Sequence, residues 1–526
     1  MSLEAFLHQL HFDTDKARPL DFEVDWEDAP LPFKLYRGLP VIPLSAEIPL
    51  TLEGSARPAK ADLRELGHFL WYAFGLTQFS QTAFDWDSGE EAIGTMQSYR
   101  RFVPSGGAMY PNELYVYLKV EEVPSGIYHY DVAHHRLVLL REGNFDSYLS
   151  RALGNRCDVS ACFGAVFVAT MFWKNFYKYY NFAYRLQGLD SGALIGQLLE
   201  VSKRFGYELG VYFQFLDRAV NHLLGVSERE ESVYAVIPLS LESGITWFAK
   251  GNEGNRNVSA AELSQELPAV RHDHFVRSQK VLEYPMLIQI NEASRLESLR
   301  SVRQIWGEEK AAYDLPALEL PHAKRMTYDL AAACKKRYSP ERDFVLGKVS
   351  REQLATLLHE VTAAFSYRND LDEDCVNPES RVLLYGCFYN VEDIPDGAYQ
   401  YDRAAHALRL IRPGDHRHWL QEGMNLDNVN LFQVPLCFHV AGERNHLLKK
   451  LGYRGYRIQQ MEAGMLVQRL LLTASAIGMG GHPLLGYDVS TSDELYQMAQ
   501  HGKTSLIQIP VGPCRPRPRL EGGLHG

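Results

Sequence analysis

The chain has 526 residues, enough for two to four ordinary domains with sizeable cores. Hydrophobic residues make up 46% and charged residues 23%, an ordinary globular balance, and the net charge of −11 argues against a general nucleic-acid binder while leaving room for a local basic pocket. Seven scattered cysteines with no C-x-x-C spacing predict reduced thiols, a cytoplasmic setting and neither zinc nor an iron–sulfur cluster; the absence of an apolar N-terminal region and of any run near ~18 apolar residues predicts neither a signal peptide nor a membrane-spanning helix.

Residues 1–60 are rich in proline and acids and are expected to form an extended arm, packed on the body through Trp26, Phe33, Tyr36, Val41 and Ile42. Leu63, Leu66, Leu70 and Phe74 have helical spacing, which predicts a helix within 61–82, and 84–97 (DWDSGEEAIGTMQS) is expected to be a polar loop. Ser98–Pro111 (SYRRFVPSGGAMYP) then places Arg100 and Arg101 ahead of a Pro104-Ser105-Gly106-Gly107-Ala108 turn, followed by a strand over 113–120. Two glycines leave the backbone N–H groups bare and Ser105 adds a hydroxyl, so this loop beside basic residues suits a flat, polar, anionic ligand. The plainer alternative is a tight loop feeding a strand.

The chain repeats itself. Gly126–Asp131 (GIYHYD) recurs as Gly397–Asp402 (GAYQYD), 397 minus 126 giving a shift of 271 residues. Tyr184-Arg185-Leu186-Gln187 recurs as Tyr456-Arg457-Ile458-Gln459, and Asp190-Ser191-Gly192 as Glu462-Ala463-Gly464, both shifted by 272 (456 minus 184; 462 minus 190). Strands over 113–120, 165–173 and 233–240 match strands over 382–389, 434–441 and 505–512, and a helix over 184–205 matches one over 456–477. This predicts two copies of one α+β unit, 61–240 and 323–513. Between them 241–322 has no counterpart and is expected to be a connecting insertion and a possible lid. Within it KVLEYPMLIQI reads as a strand interrupted by Pro285 and NEASRLESLRSVRQIW as a helix. Residues 514–526 are expected to be a flexible tail.

P-S-x-G-A-x-Y-P followed by a strand and G-x-Y-x-Y-D resembles the SagB-type, azoline-oxidising branch of the FMN-dependent nitroreductase superfamily, here in a tandem fused form. The resemblance implies two nitroreductase-like domains, each a mainly antiparallel central sheet flanked by helices, joined as an intramolecular pseudo-dimer. It also implies FMN at the interface, a peptide substrate bearing thiazoline or oxazoline rings that become thiazoles or oxazoles, and leaves open a cyclodehydratase partner. In the family one flavin draws on both halves. The loop Pro104–Ala108 stands in the first copy; DEDCVNPES (372–380), acidic and without the glycine pair, takes its place in the second. The second copy carries Arg337, Ser339 and Arg342, which resemble the family's phosphate-binding R-x-S-x-R with one extra residue, and Gly478-Met479-Gly480-Gly481, which resembles the glycine segment lying against the flavin ring; the first copy has Tyr207 and Glu208 there. One intact flavin site and one decayed site are therefore expected.

The same resemblance assigns Lys178 and Tyr179 as the reactive pair, with Tyr179, made more acidic by Lys178, taking a ring proton. In the second copy Leu451 stands where the tyrosine is needed. Arg185 and Arg457 are expected to brace the helix starts, and Arg515 and Arg517 are further phosphate candidates. His134/His135, His272/His274 and His416/His418 lack a ligand pattern, so no metal site is expected. The competing readings are an NAD(P)H-dependent nitro or quinone reductase on the same fold and a non-catalytic scaffold.

Overall fold

The computed structural model describes residues 1–54, 58–85, 93–249, 258–305, 315–363, 366–372, 380–516 and 520–523. The first half runs α1 (Leu3–Phe12), β1 (Val41–Pro43), α2 (Leu63–Phe74), β2 (Leu76–Asp85), β3 (Ile93–Arg101), β4 (Asn112–Leu118), β5 (Gly126–Asp131), β6 (Arg136–Glu142), α3 (Asp146–Ala152), β7 (Gly164–Met171), α4 (Trp173–Tyr179), α5 (Ala183–Phe205), β8 (Glu208–Leu209), α6 (Asp217–Leu224) and β9 (Glu231–Ser240). The helices α7 (Ala260–Gln265) and α8 (Pro285–Ala293) connect to β10 (Ala317–Glu319), α9 (Leu330–Lys336), α10 (Arg351–Thr362), β11 (Leu383–Phe388), β12 (Gly397–Asp402), β13 (Ala407–Pro413), α11 (Arg417–Glu422), β14 (Leu436–Glu443), α12 (Leu448–Leu451), α13 (Tyr453–Ala476), β15 (Gly480–Gly481), α14 (Val489–Leu495), β16 (Lys503–Gly512) and β17 (Leu520–Gly523).

The repeat is a repeat of topology. One seven-stranded sheet has the order β1-β6-β5-β4-β7-β9-β8 and the other β10-β13-β12-β11-β14-β16-β15, strand for strand the same arrangement and antiparallel throughout. Even the irregularities coincide: the register shifts at Ile127/Tyr128 and Val168/Ala169 return at Ala398/Tyr399 and Val440/Ala441. The central strands are buried on both faces, which is why AVFVATM is apolar at every position but Thr170 instead of alternating. Leu114 and Val116 pack into one core while Tyr115 and Tyr117, on the opposite pleat, pack into another.

The two halves meet along α5 and α13. A methyl group added at Gly192 would sit 1.9 Å from the Met461 carbonyl oxygen, and one added at Gly464 would sit 2.0 Å from that of Leu189. The helix backbones touch at these two equivalent positions, and only a residue without a side chain permits it. Tyr184 and Tyr456 stack at 5.8 Å near the helix starts. The fully buried Arg185 donates to the carbonyls of Leu10 (3.0 Å) and Leu506 (2.6 Å); its twin Arg457 pairs with Asp217 at 3.2 Å. Each arginine thus braces a helix start against the opposite half.

Several sequence expectations are corrected. The segment 1–60 is not extended throughout: it opens with α1, whose N-terminus is capped by Ser2, and β1 joins the edge of the first sheet. The predicted helix within 61–82 stops at Phe74, where Gly75 closes it, and β2 follows. Of the expected polar loop over 84–97, 84–85 fall on β2 and 93–97 on β3, paired with each other, while 86–92 lie outside the described residues. Pro285 opens helix α8 instead of breaking a strand; its missing N–H is one that a helix start leaves unpaired anyway. Between Ala293 and Ile305 only the single turn Leu299–Ser301 is helical. The tail is not uniformly free: β17 pairs with β2, Leu520 opposite Gln81 and Gly523 opposite Gln78.

Candidate functional site

Gly106–Ala108 form one tight turn, and Gly107 sits at φ 60°, ψ 18°. A methyl group added at Gly107 would lie 2.1 Å from the Tyr179 hydroxyl and 2.8 Å from the Lys178 ammonium. The structure therefore brings Gly107 and the Lys178–Tyr179 pair together, although 70 residues separate them in sequence. The turn is pinned beneath. The Ser105 hydroxyl donates to Asp190 Oδ2 at 2.7 Å, the Gly106 N–H donates to Asp190 Oδ1 at 3.0 Å, and the Tyr110 N–H donates to Ser105 Oγ at 2.9 Å. Tyr179 also packs on the core of the second half, so the pair lies at the seam.

Lys178 and Tyr179 end α4. One turn earlier the buried Lys174 ammonium pairs with Glu113 and donates to the carbonyls of Pro32 (3.1 Å) and Tyr110 (3.3 Å), tying the helix to the loop's far end. After Tyr179, Tyr180 adopts φ 50°, ψ −136°, a region that suits glycine; its twin in the second half is Gly452, at φ 59°, ψ −156°. Contacts of the Tyr180 ring with Phe176 (4.9 Å) and Phe22 (5.3 Å) hold it there. Trp26, half exposed, places its indole 5.3 Å from the Lys178 ammonium.

The electrostatics revise one expectation. Burial, with the Asp190 carboxylate and Tyr177 adding to it, pushes the Tyr179 phenol well above the usual range, so Tyr179 is less acidic, not more. Burial pulls the Lys178 ammonium down and pushes Asp190 up to about 6, with the bonds from Ser105 and Gly106 opposing the latter shift. Of the two reactive candidates, Lys178 is the one whose environment favours the neutral, proton-accepting form.

The basic candidates separate. Arg100, on β3, donates to Gln78 at 2.8 Å. Arg101 is buried, stacks on Phe74 (4.1 Å) and Tyr110 (4.7 Å) and donates to the Pro32 carbonyl; burial lowers it to about 10. Its Nε and Nη1, and Nε of Arg337, are buried without a hydrogen-bond partner among the described residues. Burial also lowers Arg337, while Tyr110 acts on it in the opposite sense. Three residues on, Pro340 lies over Gly480: a methyl group there would be 2.3 Å from Pro340 Cγ. Arg337 to Pro340 spans at most about 11 Å. Arginine and glycine segment are thus neighbours.

Other candidates are engaged elsewhere. Arg342 donates to the Asp427 carbonyl at 3.0 and 2.8 Å. Ser339 is exposed, and Pro104 is half-buried at the head of the turn. The N–H groups of Gly478 and Met479 close α13 onto Ser475 (3.1 Å) and Ala474 (2.8 Å); Gly480 and Gly481 pair with Gly512 and Val511. Arg515 is exposed, and Arg517 lies outside the described residues. Among the described residues no group of three or more histidines, cysteines or acids could hold a metal ion, and no helix is long and apolar enough to cross a membrane.

The equivalent place on the other side is filled. Glu462, the twin of Asp190, takes Arg381 Nε at 2.9 and 3.1 Å and the Tyr367 hydroxyl at 3.2 Å, and Arg381 also pairs with Asp372. Where the second half has Gly480 the first has Glu208, paired with Arg368. Most of the acidic stretch 372–380, namely 373–379, lies outside the described residues. Sequence reasoning missed Asp190 as a site residue. The available signal was an acid at one position in both copies of an otherwise buried helix.

Unbound donors on Arg101 and Arg337, an open glycine turn and an adjacent amine and phenol fit a polar, anionic, planar group such as a flavin mononucleotide. The bonds of Arg342, Gly478 and Met479 do not add to that fit.

Comparison with known proteins agrees on architecture. No family model matches the chain. A crystal structure of a candidate nitroreductase from Anabaena variabilis superposes with a TM-score of 0.71, covering 98% of this chain and 99% of that one at 20% identity, a likeness of fold alone. The trifolitoxin-processing protein TfxB of Rhizobium leguminosarum bv. trifolii is 29% identical over 147 residues, 26% of this chain and 39% of TfxB, so the match spans about two-fifths of that relative. A candidate nitroreductase of Methanocaldococcus jannaschii is 22% identical over 162 residues, 30% of this chain and 80% of its own length. Over its full length the chain has a nitroreductase-like α+β fold, built as two sheet-and-helix halves in tandem.

Proposed function

We propose that the protein is an FMN-dependent dehydrogenase that oxidises azoline rings in a peptide to azoles. The observation that carries this reading is the contact of Gly107 with the Tyr179 hydroxyl and the Lys178 ammonium, which joins a ligand-type loop to an acid–base pair. The similarity to a toxin-processing protein supports a peptide substrate.

In this reading Arg337 and Ser339 hold the phosphate, and the 104–108 loop with Arg101 lines the opposite end. When bound, FMN supplies the two-electron oxidising chemistry. Lys178, its ammonium destabilised by burial, accepts the ring Cα proton at Nζ. Tyr179 stays protonated and donates a hydrogen bond that orients the ring. A base placed in this way contributes about 10²–10⁴-fold. The Arg381–Glu462 cluster leaves a single functional site per chain.

The test is purification and turnover. Purified protein should carry flavin colour and convert a thiazoline-bearing peptide to its thiazole, and Lys178→Met should keep the colour while losing conversion. Colourless protein that takes up no FMN ends the reading. Steady NAD(P)H consumption with a quinone, indifferent to Lys178→Met, would mark a general reductase instead.

A further inference from the structure

Asp190 is a buried carboxylate whose two partners, the Ser105 hydroxyl and the Gly106 N–H, belong to the candidate loop. Its twin Glu462 occupies the same position on the twin helix, yet meets a bidentate arginine and a phenol. One acid is neutralised by a cation; among the described residues the other is held by dipoles of the segment it faces. Uncompensated burial is costly, and the chain bears it on the side where the glycine turn touches Lys178 and Tyr179. The geometry of that turn depends on this contact. Ser105 is bonded on both sides, donating to Asp190 and accepting from Tyr110, and the residues between them include three with positive φ: Gly107, Ala108 and Tyr110 at the closing end.

We propose that Asp190 is the positioning residue of the site: through Ser105 and Gly106 its carboxylate fixes the turn that holds Gly107 against the Tyr179 hydroxyl and the Lys178 ammonium. Ionised, it accepts both bonds. Protonated, one oxygen becomes a donor, and the pairing with the Ser105 hydroxyl must invert while Tyr110 still donates to that hydroxyl. The titratable groups facing it are Tyr179, whose phenol the Asp190 carboxylate helps to raise, and Lys178 across Gly107. Its burial-raised pKa of about 6 puts this change near neutrality. The proposal rests on the dehydrogenase reading only for its kinetic arm.

Amide hydrogen exchange on the full chain, followed by mass spectrometry at one pH above 7, tests the positioning without any ligand. Asp190→Asn and Ser105→Ala should each speed exchange of the 105–110 amides at least tenfold while the α5 and α13 amides stay protected. Unchanged exchange in both variants overturns the proposal, and Ser105→Ala decides if Asp190→Asn fails to fold. In the kinetic arm, wild-type turnover of a thiazoline peptide should rise with pH through about 6, and Asp190→Asn should lose that inflection. An inflection kept in Asp190→Asn overturns the role of the carboxylate. Wild-type protein without flavin or turnover withdraws the dehydrogenase reading and leaves the exchange result to judge Asp190.

Discussion

At the residue scale the site is a set of pKa displacements with named causes. Burial moves the Lys178 ammonium down, the Tyr179 phenol up and the Asp190 carboxylate up to about 6, so acid and base roles are sorted by environment. Tyr179→Phe is expected to keep bound flavin and reduce turnover by about 10²-fold, less than Lys178→Met, measured as kcat on a thiazoline peptide. Asp190 also leaves a mark on stability. Its folded pKa lies above the ordinary value, so its contribution is fully present below about pH 4 and is lost as pH rises through about 6. A shift of about two units sets an upper bound of about 3 kcal/mol. Chemical denaturation at pH 4.5 and 7.5 should show a smaller loss of stability over that interval in Asp190→Asn than in the wild type. Little of this was legible beforehand. Lys178 and Tyr179 stand out as letters, but which of them carries the proton depends on burial, which a sequence does not display.

At the element scale, strands and long helices were readable because their signals are local and strong. The apolar run of β7 and the repeated Y-R start of α5 and α13 fall where expected. β3 reads as polar loop because it pairs with β2 alone, at the edge of a three-stranded sheet, and Pro285 misleads because proline at a helix start and proline in a strand look alike in one dimension. Helix α4 is placed by the Lys174–Glu113 pair, so Lys174→Met should leave the buried Glu113 carboxylate with His129 as its remaining bonded partner and cost about 3–5 kcal/mol in urea denaturation. At the α5–α13 crossing, Gly192→Ala meets backbone at 1.9 Å and should cost about 1–3 kcal/mol by the same measurement.

At the scale of the whole molecule, two identical topologies carry different contents. The duplication was legible from the offsets of 271 and 272. The difference between the halves was legible only in part: the glycines missing from 372–380 were visible, whereas Arg381, which pairs with Glu462 and Asp372, carries no motif. Arg337→Ala should weaken FMN retention at least tenfold, whereas Arg342→Ala, whose guanidinium is committed to the Asp427 carbonyl, should change it little; fluorescence titration with FMN separates the two. The Asp190–Glu462 difference has a consequence for how such a molecule can evolve. In an assembly of identical subunits every substitution is made twice, so a change that ruins one pocket ruins both. A covalent tether between unlike copies removes that constraint. Each lobe is free to change without imposing the same change on the other, so inherited variation accumulates on one side without touching its twin.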